Sequence, residues 1–267
     1  MLERLIILAV TGAVLTGISC SLVGSFVVRM NLSSLGFCMS HAAFAGAALG
    51  LVLSVNPLIM SIVFSTGVAI VLGPLAEKAK LPTNVILGII FSLMISLGLI
   101  FLNLTPQTAM SSVALSILWG SILGMTVQNV LFLLGLTCGT ILIFFLFFKE
   151  FQSIMFSRML AEASGISTKP FYYLMLFLTG VTVAFSLKLV GGLLVFALMV
   201  NPASSAYQFS YDMKRITILA PLIGVICCVA GIGVSFVLDL PVGSSIAVIS
   251  SVVFGLSVLV SPKRKRG

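Results

Sequence analysis

The side chains best suited to chemistry lie close together in the segment 35–46, LGFCMSHAAFAG. It holds His41, the single histidine of the chain, inside an apolar run, directly after Cys38, Met39 and Ser40. An ionisable side chain in hydrocarbon costs about 2.5–3.5 kcal/mol on insertion scales, so one that persists is a candidate functional residue. Two interpretations stay open: a functional imidazole, or a histidine hydrogen-bonded between packed helices.

The composition indicates an all-α, polytopic integral membrane protein. Of the 267 residues, 60% are hydrophobic and only 7% are charged, with a mean hydropathy of +1.29. A soluble domain carries about 25% charged residues. The net charge of +8 is scattered over short loops, which argues against a nucleic-acid partner. We expect one transmembrane domain over residues 1–267.

Apolar runs long enough to cross a bilayer of about 30 Å follow one another and predict about nine transmembrane helices. Small residues make the second span slim, which predicts that it packs centrally, and Ser33 and Ser34 are able to cap it. We expect Lys188 to separate the sixth and seventh spans and Pro202 to kink or end the seventh. The predicted spans cover about 5–28, 36–55, 58–76, 84–104, 127–148, 170–187, 189–206, 216–238 and 243–261.

Three remaining stretches need separate interpretation. Residues 105–126 are too mixed for a span and predict a short surface or re-entrant helix that carries Trp119. The apolar run of the first span continues beyond Cys20, so we expect it to stay uncleaved. All five cysteines lie in apolar runs, which favours small packing residues over disulfide partners.

Basic residues are divided unevenly between alternate loops. One side receives twelve of the fourteen Lys and Arg residues, whereas the other has only Arg4 and Lys188. Because basic loops stay in the cytoplasm, this partition predicts a cytoplasmic C-terminus and, with nine spans, an external N-terminus. The twelve are Arg29, Lys78, Lys80, Lys149, Arg158, Lys169, Lys214, Arg215, Lys263, Arg264, Lys265 and Arg266.

Signatures of catalysis are absent from the sequence, which has no HExxH helix, no Walker phosphate loop and no second histidine. Its six acidic residues lie at loops, turns or termini, which argues against a carrier coupled to protons or sodium through a buried acid. The longest polar stretch, about 149–170, could instead contact a separate driving subunit. Within it, Ser157 to Gly165 predicts a short helix, although an ordinary solvated connector remains the alternative.

Three ordered motifs resemble one family, the permease subunits of bacterial ABC importers for zinc, manganese and iron. The first is SFVVRMNLSSLGFCMSHAAFAG around His41, and the second is LAEASGIS, which resembles the family's ATPase-docking segment. The third is LVGGLLVFALMVNPASSA at 189–206. The resemblance extends over nearly the whole chain.

The resemblance implies a type II-like permease that is not itself an enzyme and binds no permanent cofactor. It implies a homodimer in the cell membrane, a cytoplasmic ATPase dimer that uses ATP, and an extracytoplasmic protein that delivers a divalent metal ion. Its docking segment would use Ala161, Glu162, Ala163 and Gly165.

One departure from the family bears on the metal. The family usually has an aspartate four residues before the histidine, and here that position is Phe37. Losing the carboxylate disfavours hard cations such as Mn²⁺, and Cys38 shares a possible i, i+3 face with His41. We therefore expect a metal pathway of Cys38, Met39, Ser40 and His41 that carries zinc before manganese or iron.

A second departure from the family is Asn201, which stands where the resemblance leads us to expect an aliphatic residue. Rival functions are a permease for a metal chelate such as a siderophore, haem or cobalamin, and an intramembrane enzyme. Chelate permeases usually have more spans, and a single histidine per chain does not supply an enzyme's dyad or ligand set.

The charge partition generates a test of topology. We expect 149–170, 212–215 and the tail to be cytoplasmic, and 107–128 and 239–243 to face outward. In a background without native cysteines, Gln152→Cys should react with a membrane-impermeant thiol reagent only after the cells are opened. Labelling of this cysteine from outside intact cells would contradict the topology.

Overall fold

The computed structural model describes residues 2–105 and 125–262, and every regular element in these two ranges that spans more than a single turn is a helix. The helices before the gap are α1 (Leu2–Arg29), α2 (Ser34–Val52), α3 (Pro57–Ala79) and α4 (Thr83–Asn103). Those after it are α5 (Val127–Leu146), α6 (Phe148–Phe156), α7 (Arg158–Ala163), α8 (Thr168–Val190), α9 (Gly192–Phe209), α10 (Met213–Leu238) and α11 (Val242–Val260).

Eight of these helices are long and apolar enough to cross a membrane, which confirms the prediction of an all-helical, multi-span protein. They are α1 to α5, α8, α10 and α11. The seventh predicted span, 189–206, corresponds to α9, which has 18 residues and is not among the eight. Its polar residues include Asn201 and Gln208.

Four helices form the centre of the bundle. Helix α9 packs against α1, α2 and α8, and α2 also packs against α8. Helices α3 and α4 cover α2, whereas α5 and α10 cover α1, and α11 lies on α9 and α10. Of the eight candidate spans, α2 has the largest share of buried residues, 72%, which confirms that the slim helix packs centrally.

Glycines let the backbones of the central helices touch. A Cβ atom on Gly24 of α1 would lie 1.8 Å from the carbonyl oxygen of Met199 in α9. A Cβ on Gly46 of α2 would lie 2.3 Å from the carbonyl oxygen of Met60 in α3. Such close approach is how helices gain contact in lipid, where burying apolar side chains gives no advantage.

Many serine and threonine hydroxyls are satisfied within their own helices. Each donates to the carbonyl four residues earlier, as in Ser40 to Gly36, Thr137 to Leu133, Thr140 to Leu136, Thr179 to Met175 and Ser205 to Asn201. A few polar bonds cross between helices instead. Asn201 Nδ2 donates to the hydroxyls of Ser250 and Ser251, each at 3.0 Å, and thereby links α9 to α11.

Basic loops meet at one end of the bundle. Arg29 lines a cavity of about 330 Å³ together with Gln152 and Asp212. On the other side of the same α6–α7 segment, Arg158 and Lys169 line a cavity of about 210 Å³ with residues of α3, the following turn and α4. The described loops that the sequence assigns to the cytoplasm therefore share one end.

Several boundaries differ from the sequence prediction. Helix α8 continues past Lys188, and the break falls at Gly191, whose φ of 82° suits glycine alone. Pro202 does not end its helix, because α9 continues to Phe209. Ser33 precedes α2 without a side-chain capping bond, so the predicted cap is wrong.

Other expectations have mixed outcomes. Residues 148–156, predicted to finish a span and begin a polar stretch, form a helix of their own, α6. All five cysteines are free, and Cys20, Cys38, Cys227 and Cys228 are buried, as expected for packing residues. The surface or re-entrant helix with Trp119 falls almost entirely on 106–124, outside the described residues.

Candidate functional site

The imidazole of His41 is held by its own helix. Its Nδ1 lies 2.9 Å from the carbonyl oxygen of Phe37, one turn earlier in α2. A carbonyl can only accept a hydrogen bond, so Nδ1 carries the proton and the neutral ring keeps its free lone pair on Nε2. Histidines that bind metals are commonly oriented in this way, with the other ring nitrogen donating to a backbone carbonyl.

Two aromatic rings contact this imidazole, and a third packs behind them. The centroids of Phe37 and Phe91 each lie 4.7 Å from that of His41, both in edge-on contact. Phe37 stacks on Phe91 of α4 at 4.7 Å and contacts Phe196 of α9 at 5.4 Å. All four side chains are half-buried, so His41 reaches a partly open face lined by rings rather than by a carboxylate.

The other predicted pathway residues lie in the interior. Cys38, Met39 and Ser40 are each at most 2% exposed, and Cys38 and Met39 belong to the main hydrophobic core. The Ser40 hydroxyl donates to the Gly36 carbonyl at 2.8 Å. The structure therefore leaves His41 and Phe37 accessible, and it does not place Cys38, Met39 or Ser40 on the open face with them.

The described part of one chain does not build a closed metal centre. Among residues 2–105 and 125–262, no group of three or more His, Cys, Asp or Glu side chains could hold a metal ion. His41 offers a single nitrogen per chain. One imidazole binds a metal ion weakly, which suits an ion that must pass through rather than stay.

The predicted short helix in the polar stretch is confirmed as α7. The Ser157 hydroxyl accepts a hydrogen bond from the Leu160 amide at 3.3 Å and caps its start. At the other end, Gly165 has a φ of 86°, a left-handed conformation that stops a helix. The sequence alone predicted this helix between Ser157 and Gly165.

Anchoring contacts hold α7 against the bundle. The guanidinium carbon of Arg158 lies 4.8 Å from the centroid of the Tyr172 ring in α8. The Thr168 hydroxyl donates to the carboxylate of Glu162. Ala161 is buried, so Ala161 and Glu162 fix this segment in place, whereas Ala163 and Gly165 are exposed.

Sequence reasoning missed the most prominent side chains of this segment. Phe156, Met159 and Leu160 are 77%, 80% and 58% exposed. They expose apolar side chains close together in the sequence at the basic end of the bundle. Their signal was three apolar residues at i, i+3 and i+4 within an otherwise polar stretch.

Together, these features define a class: a multi-span membrane protein with a histidine inside the helix bundle and exposed apolar side chains on α6 and α7 at one end. The family model described as the ABC 3 transport family matches residues 3–261. The chain therefore belongs to that family, and the predicted resemblance is confirmed.

Individual relatives extend the comparison. The manganese transport system membrane protein MntC of Listeria monocytogenes is 29% identical over 98% of this chain and 91% of its own length. The high-affinity zinc uptake system membrane protein ZnuB of Haemophilus influenzae is also 29% identical, over 95% of this chain and 97% of its own.

A solved structure confirms the fold. PsaBC from Streptococcus pneumoniae, in complex with a Fab, superposes with a TM-score of 0.87 at 27% identity. The match covers 98% of this chain and 93% of that one.

Proposed function

We propose that this protein is the permease subunit of an ATP-driven importer that moves a divalent transition-metal ion into the cytoplasm. The observation that carries the proposal is the 2.9 Å distance from His41 Nδ1 to the Phe37 carbonyl oxygen, because a hydrogen bond there leaves the lone pair on Nε2 for an ion. The names of the relatives, which include manganese and zinc transport proteins, support a metal as cargo.

Zinc is the cargo that the site favours, with manganese and then iron as alternatives. Imidazole is a good ligand for Zn²⁺, whereas Mn²⁺ prefers carboxylate oxygen. Phe37 occupies the place next to His41 where a carboxylate would favour the harder ion, and its neighbour Phe91 is also aromatic. The manganese relatives keep the second alternative open.

A homodimer would complete the pathway. Two chains would supply two His41 imidazoles, and water could fill the remaining positions around the ion. Such a shell binds more loosely than a closed four-ligand cage, so the ion can leave on the far side. The permease would lie in the cell membrane, and an extracytoplasmic binding protein would deliver the ion to its outer end.

The driving subunit would dock at the opposite end. Phe156, Met159 and Leu160 offer an apolar anchor for a groove on a cytoplasmic ATPase dimer. Ala161 and Glu162 hold α7 in position for this contact, while ATP is hydrolysed on the partner. The permease itself then performs no covalent chemistry.

The central test is His41→Ala in the assembled importer. We expect uptake of radioactive zinc into vesicles, normalised to assembled complex, to fall at least about tenfold because the single imidazole of the chain is removed. Cys38→Ala is the matched control, and it should lower uptake only slightly because Cys38 lies in the core. Loss of stability in His41→Ala with unchanged transport per folded complex would show a structural role instead.

A second test addresses metal choice through Phe37→Asp. This change restores a carboxylate beside His41 and should raise manganese uptake relative to zinc severalfold. Phe37→Asn removes the same ring without adding charge and should leave the ratio of the two metals unchanged. Equal shifts in both variants would mean that the ring, rather than the missing carboxylate, sets selectivity.

A third test addresses docking through Gly165→Val. A β-branched residue cannot easily adopt the φ of 86°, so the end of α7 should shift and the ATPase should dissociate or uncouple. Co-purification of the ATPase and metal-stimulated ATP hydrolysis measure the two effects.

The matched control for docking is Gly139→Val in α5, where an added Cβ also meets no atom within 4 Å but the backbone is helical. It should retain both readouts. If Gly165→Val also retained them, the assignment of α7 to the ATPase contact would be wrong.

A further inference from the structure

A recessed groove of about 630 Å³ lies between α1, α5 and α10, away from His41 and from α7. Its walls are apolar, apart from Lys214 and Thr217 near the start of α10. The apolar lining includes Ile18, Leu22, Phe144, Phe145, Ile218 and Leu222.

One face of α10 runs along the whole groove. Its lining residues recur at i, i+3, i+4, i+7, i+8 and i+11, from Lys214 to Val225. At a rise of 1.5 Å per residue, this face is about 16 Å long. The hydrocarbon core of a bilayer is about 30 Å thick, so the groove matches the depth of one leaflet.

The floor of the groove is formed by core residues. Leu22 and Phe144 are 5% and 2% exposed, whereas Phe145 at the rim is 80% exposed. An empty recess would leave its lining without contacts on one side, which sacrifices dispersion energy. A flexible hydrocarbon chain can follow this recess between three helices.

Positive charge lies at one end of the groove. Lys214 lines it, and exposed Lys149 follows the lining residue Phe148. Arg215 is 3.9 Å from the carboxylate of Asp212, the single ion pair among the described residues, so Lys214 has no carboxylate partner there. Basic recesses beside membrane helices on the cytoplasmic side bind anionic lipid head groups.

We propose that this groove binds one acyl chain of an anionic phospholipid whose phosphate contacts Lys214. Charge and length together select this occupant: an ammonium group at the head-group level, followed by an apolar channel one leaflet deep. The inference depends on the membrane fold and not on the identity of the transported metal.

A second copy of the chain fits this face less well. A twofold contact presents the same patch on both partners. It would bring two copies of Lys149 and Lys214 to one interface, and no acidic side chain lines the groove to compensate them.

The test compares Lys214→Gln with Lys78→Gln, which removes an exposed lysine at the same end of the bundle but outside the groove. The permease is reconstituted in vesicles that contain equal amounts of phosphatidylglycerol and phosphatidylcholine. It is then extracted with a mild detergent, and the lipid that it retains is quantified by mass spectrometry. We expect wild type and Lys78→Gln to retain phosphatidylglycerol preferentially. In Lys214→Gln the enrichment of phosphatidylglycerol over phosphatidylcholine should fall about fivefold, and in Lys214→Arg it should return to the wild-type value.

A second variant tests the channel itself. Leu222→Trp fills the groove from an exposed position and should reduce retention of phosphatidylglycerol without lowering the melting temperature in detergent. Equal retention of the two lipids by wild type would overturn the proposal. So would efficient disulfide formation between two copies carrying Ile218→Cys, because it would show that a second chain covers the groove.

Discussion

Helices in a membrane gain nothing from burying leucine against leucine, because lipid is equally apolar, so this bundle depends on backbones that touch. Gly24 meets the Met199 carbonyl, and Gly46 meets the Met60 carbonyl, at distances that exclude any side chain. These contacts hold α1 against α9 and α2 against α3. The position of His41 on α2 is therefore set by packing that tolerates almost no added atoms.

The aromatic surroundings of His41 make the proposed pathway nearly neutral at this point. A carboxylate beside the imidazole would cancel part of the charge of a passing cation and hold it strongly at low dielectric. Phe37, Phe91 and Phe196 offer only ring edges and faces. A dication at His41 would therefore rest in a shallow minimum, which favours rapid passage and selects ions that accept nitrogen ligands.

The sequence was most informative where a single local signal decides the structure. Long apolar runs identify helical spans because a helix satisfies all its backbone groups within one segment, and Ser157 and Gly165 bracket α7 because capping is local. The break before α9 was misplaced because a lysine in an apolar run resembles a span end, yet Gly191 supplies the turn.

Features built from several helices could not be predicted from the sequence. The ring cluster at His41 combines its direct contacts Phe37 and Phe91 with Phe196, which packs on Phe37, and no spacing rule connects these positions. The burial of Cys38 and the exposure of Met159 also depend on neighbours contributed by tertiary packing.

The hydroxyl groups of the spans have a consequence for biosynthesis. Because residues such as Ser40, Thr140 and Thr179 already donate to carbonyls of their own helices, little of their hydrogen bonding waits for a partner helix. Each such helix can leave the translocon and enter lipid singly with these hydroxyl groups already hydrogen-bonded. Folding can then proceed as lateral association of helices that have already formed. The hydrogen bonds of Asn201 to Ser250 and Ser251 form when α11, the last described helix, joins the bundle.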